Sequence, residues 1–134
     1  MNDVFVYGSL MFDAVWCRLI TTDYQHCEAS LHGYKRLNIR SEVYPALVPA
    51  SNYKVAGKLI FNVNNEDIKL LDQFEGDQYH RTGLTVLDSN NGQHTAEVYV
   101  FNQQYAHLLL DTEWNPVKFS EQDMQVFLAC YAGF

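Results

Sequence analysis

The segment Val4-Phe5-Val6-Tyr7-Gly8-Ser9-Leu10 is a continuous apolar run that passes directly into a glycine and a serine. An apolar run without polar alternation is typical of a strand buried on both faces, and the Gly-Ser pair indicates a tight turn after it. Gly8 permits a backbone geometry in which successive N–H groups converge on one point, where a carboxylate or phosphate can bind. By itself the pattern also fits an ordinary strand-to-helix connection. Segment 4–10 therefore predicts a buried strand followed by a candidate anion-binding turn.

Strand signals dominate the rest of the chain. Apolar or alternating segments rich in β-branched and aromatic residues lie at 27–31, 34–39, 54–63, 79–88 and 95–102. Within the third of these, one face is expected to carry Val55, Gly57, Leu59, Phe61 and Val63. Turn residues separate the segments at 32–33, 45–52 and 89–92, and the last of these favours a hairpin.

Three short helices are expected beside these strands. Asp13 can cap a helix over 14–20, and Asn64 or Asn65 can cap one over 65–74 that Gly76 terminates. Residues 120–123 resemble a capping box, after which apolar residues recur at helical spacing. That C-terminal stripe comprises Met124, Phe127, Leu128 and Tyr131, followed by Gly133. The pattern predicts an α+β fold: a single domain over 1–134, with a mixed sheet curled into a small β-barrel and short helices outside it.

The composition and charge of the chain limit the partners and cofactors that we expect. The chain has 134 residues, a formal charge of −7 and no basic run, which argues against nucleic acid or an anionic membrane as a partner. The three cysteines and five histidines lack metal-ligand spacing, so we expect neither a disulfide, a metal site nor a cofactor. No signal-like start or long apolar span is visible, which predicts a soluble, cytoplasmic protein. Arg81 is expected to form a surface salt bridge or to lie along a strand rather than to pair with a substrate carboxylate. The aromatic residues of the C-terminal tail are expected to pack, and the tail could also close over a pocket. The tail aromatics are Trp114, Phe119, Phe127, Tyr131 and Phe134.

Glu75 occupies an unusual place for a charge. It follows Leu71 by four residues and Ile68 by seven, so it shares the apolar face of the helix expected over 65–74. Partial desolvation and the negative end of the helix dipole both raise the pKa of such a carboxyl group. Glu75 is therefore a candidate general acid and base. Alternatively, the helix ends early and Glu75 turns to solvent.

The N-terminal VFVYGSL, followed about sixty-five residues later by LDQFEGDQYHR, resembles the gamma-glutamylcyclotransferase-like superfamily, which includes AIG2-like proteins. Further similarities are Gly33-Tyr34, the loop at 44–49, the strand entry at 55–57 and the segment 97–100. The resemblance implies a small barrel with flanking helices. It also implies that Tyr7, Gly8, Ser9 and Leu10 bind substrate and that Glu75 is the catalytic acid and base. Tyr79 matches the family tyrosine and is a secondary substrate-binding candidate.

By this resemblance, the expected reaction is closure of a gamma-glutamyl group to 5-oxoproline with release of an amine, an amino acid or a peptide. No protein nucleophile is needed, and none is evident, because the chain has no G-x-S-x-G elbow. Two other classes stay open: a non-catalytic module that binds a small carboxylate, and a protein-interaction domain that uses the aromatic tail. Neither the leaving amine nor the oligomeric state can be inferred from the sequence.

Overall fold

The computed structural model describes residues 2–130, which form six strands flanked by short helices. The strands are β1 (Asn2–Val6), β2 (His26–Ile39), β3 (Pro45–Val63), β4 (Tyr79–Asp88), β5 (Gln93–Phe101) and β6 (Leu109–Glu113). The helices are α1 (Asp13–Leu19), α2 (Asn65–Glu75), α3 (Pro116–Lys118) and α4 (Met124–Cys130). A π-helical turn, Phe119–Asp123, joins α3 to α4, and 3-10 turns cover Ser9–Met11, Gly76–Gln78 and Gln103–Leu108.

Five of the strands close into a barrel. The hydrogen-bonded order is β3-β1-β5-β4-β2, and a long antiparallel pairing of β2 with β3 completes the ring. The β1–β5 pairing is parallel, with Val4 opposite Glu97, whereas the other pairings are antiparallel. β6 adds to β2 outside the ring. The expected α+β fold, a small mixed barrel with short helices, is confirmed.

Alternation along β1 separates two apolar clusters. Phe5 and Tyr7 belong to a cluster that draws on all five barrel strands and therefore fills the barrel interior. Val4 and Val6 point the other way, into a cluster that contains the buried faces of the helices. Both faces of β1 are thus covered, as its unbroken apolar sequence predicts.

Two expected turns are wrong because long strands run through them. Gly33 does not end a strand; it adopts a φ of 84° at a bulge inside β2, where the β2–β3 register shifts. The loop expected at 45–52 belongs to β3, which begins at Pro45. Pro49 is tolerated there because this half of β3 pairs only with β2, so its other edge needs no N–H donor.

The face expected for segment 54–63 is correct up to Phe61 and wrong at Val63. Val55, Leu59 and Phe61 belong to the interior cluster, but Val63 belongs to the outer one. Asn62 adopts a φ of 56° beside a register shift between β1 and β3, and this extra residue reverses the alternation.

Helix starts are less well predicted than helix faces. The helix expected over 65–74 is α2, one residue longer. Asp13 does not cap α1 but is its first residue, with Phe12 at the cap position. The C-terminal helical segment begins at Pro116 rather than at Ser120, because Asn115 accepts hydrogen bonds from the backbone N–H groups of residues 117 and 118. Tyr131 and Gly133 lie outside the described residues.

Candidate active site

All six predicted site residues line one pocket at the end of the barrel where β1 leaves it. Its lining comprises Phe5, Val6, Tyr7, Gly8, Ser9, Leu10, Tyr44, Pro45, Phe74, Glu75, Tyr79, Tyr99 and Phe127. The pocket volume is about 50 Å³, which is room for a few water molecules or for one compact group such as a carboxylate.

Three backbone amides of the loop after β1 offer hydrogen bonds to this pocket. Gly8, Ser9 and Leu10 are buried, and within residues 2–130 their N–H groups make no hydrogen bond to protein. Their carbonyls are different: Gly8 O accepts from Met11 N at 3.0 Å, and Ser9 O accepts from Phe12 N at 3.2 Å. Because buried N–H groups in folded proteins are nearly always paired, the three amides are suited to an anion or ordered water.

Gly8 is required at this turn by close approach. A Cβ atom at this position would lie 2.9 Å from Cγ of Pro45 at the start of β3. A larger residue would push the loop away from β3 and move its amides.

Helix α2 carries Glu75 into the same pocket. The Asn64 side chain caps the helix by accepting from Asp67 N at 2.8 Å, and Ile68 and Leu71 are buried against the barrel. Glu75 is the last residue of the helix, and Gly76 follows with a φ of 72°. The expected position on the apolar face is therefore confirmed, and the alternative in which Glu75 turns to solvent is not observed.

Glu75 is half-buried as a residue, but its carboxyl group is turned away from solvent, and this local burial controls its protonation. Loss of solvent around the carboxyl group, with a smaller contribution from the charge of Asp72, raises the pKa of Glu75 to about 8. No hydrogen bond or ion pair to the Glu75 carboxyl is formed by any part of the chain that the structure describes. The group is thus able to gain and lose a proton near neutral pH.

Two of the pocket tyrosines donate hydrogen bonds to backbone carbonyls. Tyr79 donates from its hydroxyl to Pro45 O at 2.6 Å, and Tyr7 donates to Tyr99 O. Burial raises the pKa of the Tyr7 hydroxyl well above its usual value, so this group stays neutral. Tyr79 shares the pocket lining with Glu75, as expected from its place in the motif.

A polar network behind Glu75 was not identified from the sequence. Tyr99 donates to Asp72 at 2.7 Å, and Arg81 binds both Asp72, at 2.9 Å from Nε, and Glu97. The surface salt bridge expected for Arg81 is confirmed. The available signal was the position of Asp72, one helical turn before Glu75 on α2.

Aromatic side chains form part of the pocket wall. The rings of Tyr44 and Phe74 lie 6.3 Å and 6.1 Å from the ring of Phe127, which α4 contributes. Trp114, Phe119 and Phe127 are buried, so these tail residues pack as expected, and Phe127 also lines the pocket. Tyr131 and Phe134, the other tail aromatics, lie outside the described residues.

Among residues 2–130, no group of three or more His, Cys, Asp or Glu side chains is placed to hold a metal ion. The same part of the chain contains no helix with the length and apolar character needed to span a bilayer.

Fold and site together define a class: small, closed mixed β-barrels in which unpaired backbone amides and a protonatable buried glutamate share one pocket. Comparison with known sequences gives the particular family. The sequence model of "Gamma-glutamyl cyclotransferase, AIG2-like" matches residues 4–116, and the chain belongs to this family. It is 35% identical over 130 residues to AIG2-like protein D of Arabidopsis thaliana, covering 96% of this chain and 85% of that protein.

Solved structures agree on the fold. A solution structure from Arabidopsis thaliana is 26% identical, covers 98% of this chain and 79% of that one, and superposes with a TM-score of 0.70. A structure described as gamma-glutamyl cyclotransferase is 19% identical and covers 78% of this chain and 73% of that one, with a TM-score of 0.64. The barrel is therefore common to this chain and to a protein named for that activity.

Proposed function

We propose that this protein cyclises the gamma-glutamyl group of a small substrate to 5-oxoproline and releases the attached amine, amino acid or peptide. Family membership supports the class of reaction, and the pocket supports the chemistry. The observation that carries the proposal is that the buried Glu75 carboxyl and the unpaired amides of Gly8, Ser9 and Leu10 line the same small cavity.

The first step is deprotonation of the substrate. The α-ammonium group of the gamma-glutamyl unit transfers a proton to the Glu75 carboxylate, and the resulting amine attacks the γ-carbonyl carbon. The carboxylate of an acid with a pKa of about 8 is a far stronger base than that of an ordinary glutamate. Proton transfer to it from the α-ammonium group is therefore less unfavourable.

The loop amides stabilise negative charge on the substrate. They bind either the α-carboxylate, which holds the substrate in its folded conformer, or the oxyanion of the tetrahedral intermediate. Because the amides are fixed in a buried loop, they need little reorganisation as charge develops.

The last step breaks the γ-carbon–nitrogen bond. Glu75, now protonated, donates its proton to the leaving nitrogen as the carbonyl re-forms. Glu75, again a carboxylate, then takes the second proton from the ring nitrogen, which carries two hydrogens after the attack, and passes it to the departing amine. One carbon–nitrogen bond is made and one is broken, two protons pass from the α-nitrogen to the leaving nitrogen, and neither water nor an acyl-enzyme is required.

The test is release of 5-oxoproline by wild-type protein and by Glu75→Gln from a panel of gamma-glutamyl compounds. The panel should include amino acid conjugates, a lysine side-chain conjugate, a cysteinylglycine conjugate and simple amines. We expect Glu75→Gln to reduce turnover by at least about a hundredfold, since it removes both proton transfers. Glu66→Gln, an exposed substitution in the first turn of the same helix, is the matched control and should retain activity.

Two alternatives make different predictions in this assay. A non-catalytic carboxylate-binding module, which the unpaired amides would also suit, binds 5-oxoproline but turns over no member of the panel. An interaction domain based on the tail aromatics requires them at the surface, whereas Trp114, Phe119 and Phe127 are buried. Absence of wild-type turnover across the panel contradicts the enzyme proposal.

A further inference from the structure

Arg36, in β2, contacts the anion-binding loop without lining the candidate site. Its Nη1 donates to the carbonyl oxygen of Tyr7 at 2.9 Å and to that of Ala56 at 3.4 Å. The side chain is half-buried and lines a separate groove, whose walls include Ala56, Gly57 and Lys58. Arg36 therefore approaches the Tyr7–Gly8 peptide from outside the site pocket.

The geometry of that peptide determines where its N–H points. All described peptide bonds are trans, so the carbonyl of Tyr7 and the N–H of Gly8 point in opposite directions. With the carbonyl held by Arg36 on the groove side, the Gly8 N–H is directed to the other side, where the site pocket lies. Gly8 lines that pocket, and within the described chain its N–H has no protein acceptor.

Contacts with Trp114 hold the Arg36 side chain in place. Its guanidinium carbon lies 5.3 Å from the centre of the Trp114 ring, in a cation–π arrangement. Trp114 N donates to Arg36 O at 3.1 Å, and Trp114 Nε1 donates to Val43 O at 2.7 Å. A stacked and hydrogen-bonded guanidinium has little freedom to release the Tyr7 carbonyl.

We propose that Arg36 is a positioning residue for the anion-binding loop, which orients the Gly8 amide into the pocket and strengthens it as a donor through the Tyr7 carbonyl. A cationic donor on a peptide oxygen draws electron density from the adjoining nitrogen, which makes its N–H a better donor to an anion. The inference rests on the proposed use of this loop for anions, but it concerns binding and not proton transfer. Arg36 touches no substrate.

The experiment compares Arg36→Met and Arg36→Lys with the wild type. Lys35→Met is the control, because it removes one cation from the neighbouring position on β2, where the amine lies over the ring of Tyr53. Two quantities are measured: the ¹H and ¹⁵N shifts of the Gly8 amide, and the dissociation constants of glutarate and 5-oxoproline by NMR titration. For Arg36→Met we expect a displaced Gly8 resonance and affinity weakened by on the order of tenfold, consistent with loss of a charge-assisted hydrogen bond.

Arg36→Lys retains the cation and should give an intermediate affinity, and it also serves if Arg36→Met folds poorly. In turnover assays the loss should appear mainly in KM if the amides bind the α-carboxylate, and mainly in kcat if they bind the oxyanion. An Arg36→Met protein whose Gly8 shift or probe affinity matches that of Lys35→Met overturns the proposal.

The two proposals fail separately. A wild-type protein that binds glutarate but releases no 5-oxoproline contradicts the proposed reaction and leaves the role of Arg36 intact. Unaltered affinity in Arg36→Met contradicts the role of Arg36, whatever the turnover. A wild-type protein that binds neither probe contradicts the role of Arg36 in anion binding, whereas the reaction is judged by turnover.

Discussion

Two features of Glu75 favour opposite protonation states of its carboxyl group. Its carboxyl group is buried, which favours the neutral form, while the proposed reaction needs the ionised form to accept a proton. A pKa of about 8 leaves roughly a tenth of the carboxyl groups ionised at pH 7, and this ionised form is a strong base. Burial of Glu75 therefore makes its carboxylate a stronger base and lowers the free energy of unfolding when the group is ionised. The loss of stability can be measured.

The free energy of unfolding should decrease as pH rises from 4.5 to about 8, the interval between the ordinary pKa of a glutamate and the pKa of Glu75 in the folded protein. The pKa of Glu75 is raised from 4.5 to about 8 on folding, so between these values the folded state binds more protons than the unfolded state. Unfolding free energy therefore decreases with pH across this window. Glu75→Gln removes the effect and should be more stable than wild type by a few kcal/mol, roughly, at pH 8, with the gap closing near pH 4.5.

Urea unfolding at a series of pH values measures this difference. Glu66→Gln, at an exposed site, should follow the wild-type pH dependence. A constant difference between wild type and Glu75→Gln over the whole range would contradict the burial of the charge.

Asp72 should tune the same group. Its negative charge adds to the raised pKa of Glu75, so Asp72→Asn should lower that pKa by on the order of half a unit to one unit. Titration of the Glu75 side-chain carbon by ¹³C NMR measures the change directly. Asp77→Asn, in the 3-10 turn after α2, is the control for removal of a nearby exposed acid, and an equal shift in both variants would argue against a specific effect of Asp72.

At the scale of elements, helix α2 positions Glu75 against the barrel. Its apolar stripe fixes the rotation of the helix, while the cap at one end and the glycine at the other fix its length. Because Glu75 is the final helical residue, any fraying of the last turn moves the carboxyl group. Function at this site therefore depends on the same interactions that define the helix boundaries.

The cap of α2 offers a matched pair of substitutions. Asn64 accepts from Asp67 N, whereas Asn65 is the first residue of the helix and is exposed. Asn64→Ala should lower the free energy of unfolding by about 1 kcal/mol, while Asn65→Ala should change it by less than about 0.5 kcal/mol. Chemical denaturation of the two variants decides between these positions; equal effects would mean that the cap does not act as described.

At the scale of the whole molecule, closure of the barrel brings the site together. The loop at 7–10 continues from β1, Glu75 comes from the helix after β3, and Tyr79 begins β4. These segments meet because β1 inserts between β3 and β5. A substitution that separates β1 from β3 should therefore damage both stability and the pocket.

Gly57 tests this dependence on close strand packing. A Cβ atom there would lie 2.4 Å from Val6 O and 2.6 Å from the Phe5 ring, so Gly57→Ala must displace β1. We expect a loss of about 2 kcal/mol or more in unfolding free energy, together with weakened carboxylate binding. Gly83→Ala in β4 meets its nearest atom at 3.5 Å and should be tolerated. Similar stabilities for the two variants would contradict the tight β1–β3 contact.

Helical spacing and turn residues in the sequence predicted the parts of the fold that depend on residues close together along the chain. The face of α2, the turn after β1 and the hairpin at 89–92 follow from spacing and turn residues, and they agree with the structure. The errors arise where pairing overrides composition: Gly33 and Pro49 are typical of turns, yet both lie within strands whose partners accommodate them. β6, with the short sequence LLDTE, was missed because its strand character comes from pairing with β2.

The candidate site shows the same division. Glu75 and residues 7–10 were identifiable because each interrupts an apolar pattern. Arg36 and Tyr99 lie within ordinary strand sequence, and only the folded barrel places Arg36 against the loop and Tyr99 against Asp72.

The parallel pairing of β1 with β5 also governs when the protein can fold during synthesis. Val4 lies opposite Glu97, so after β1 has left the ribosome more than ninety further residues must be synthesised before its second neighbour exists. Contacts of such long sequence separation slow folding and leave apolar strands exposed in the meantime. One edge of β1 therefore stays without its strand partner until β5 has been synthesised, although β3 can already pair with the other edge.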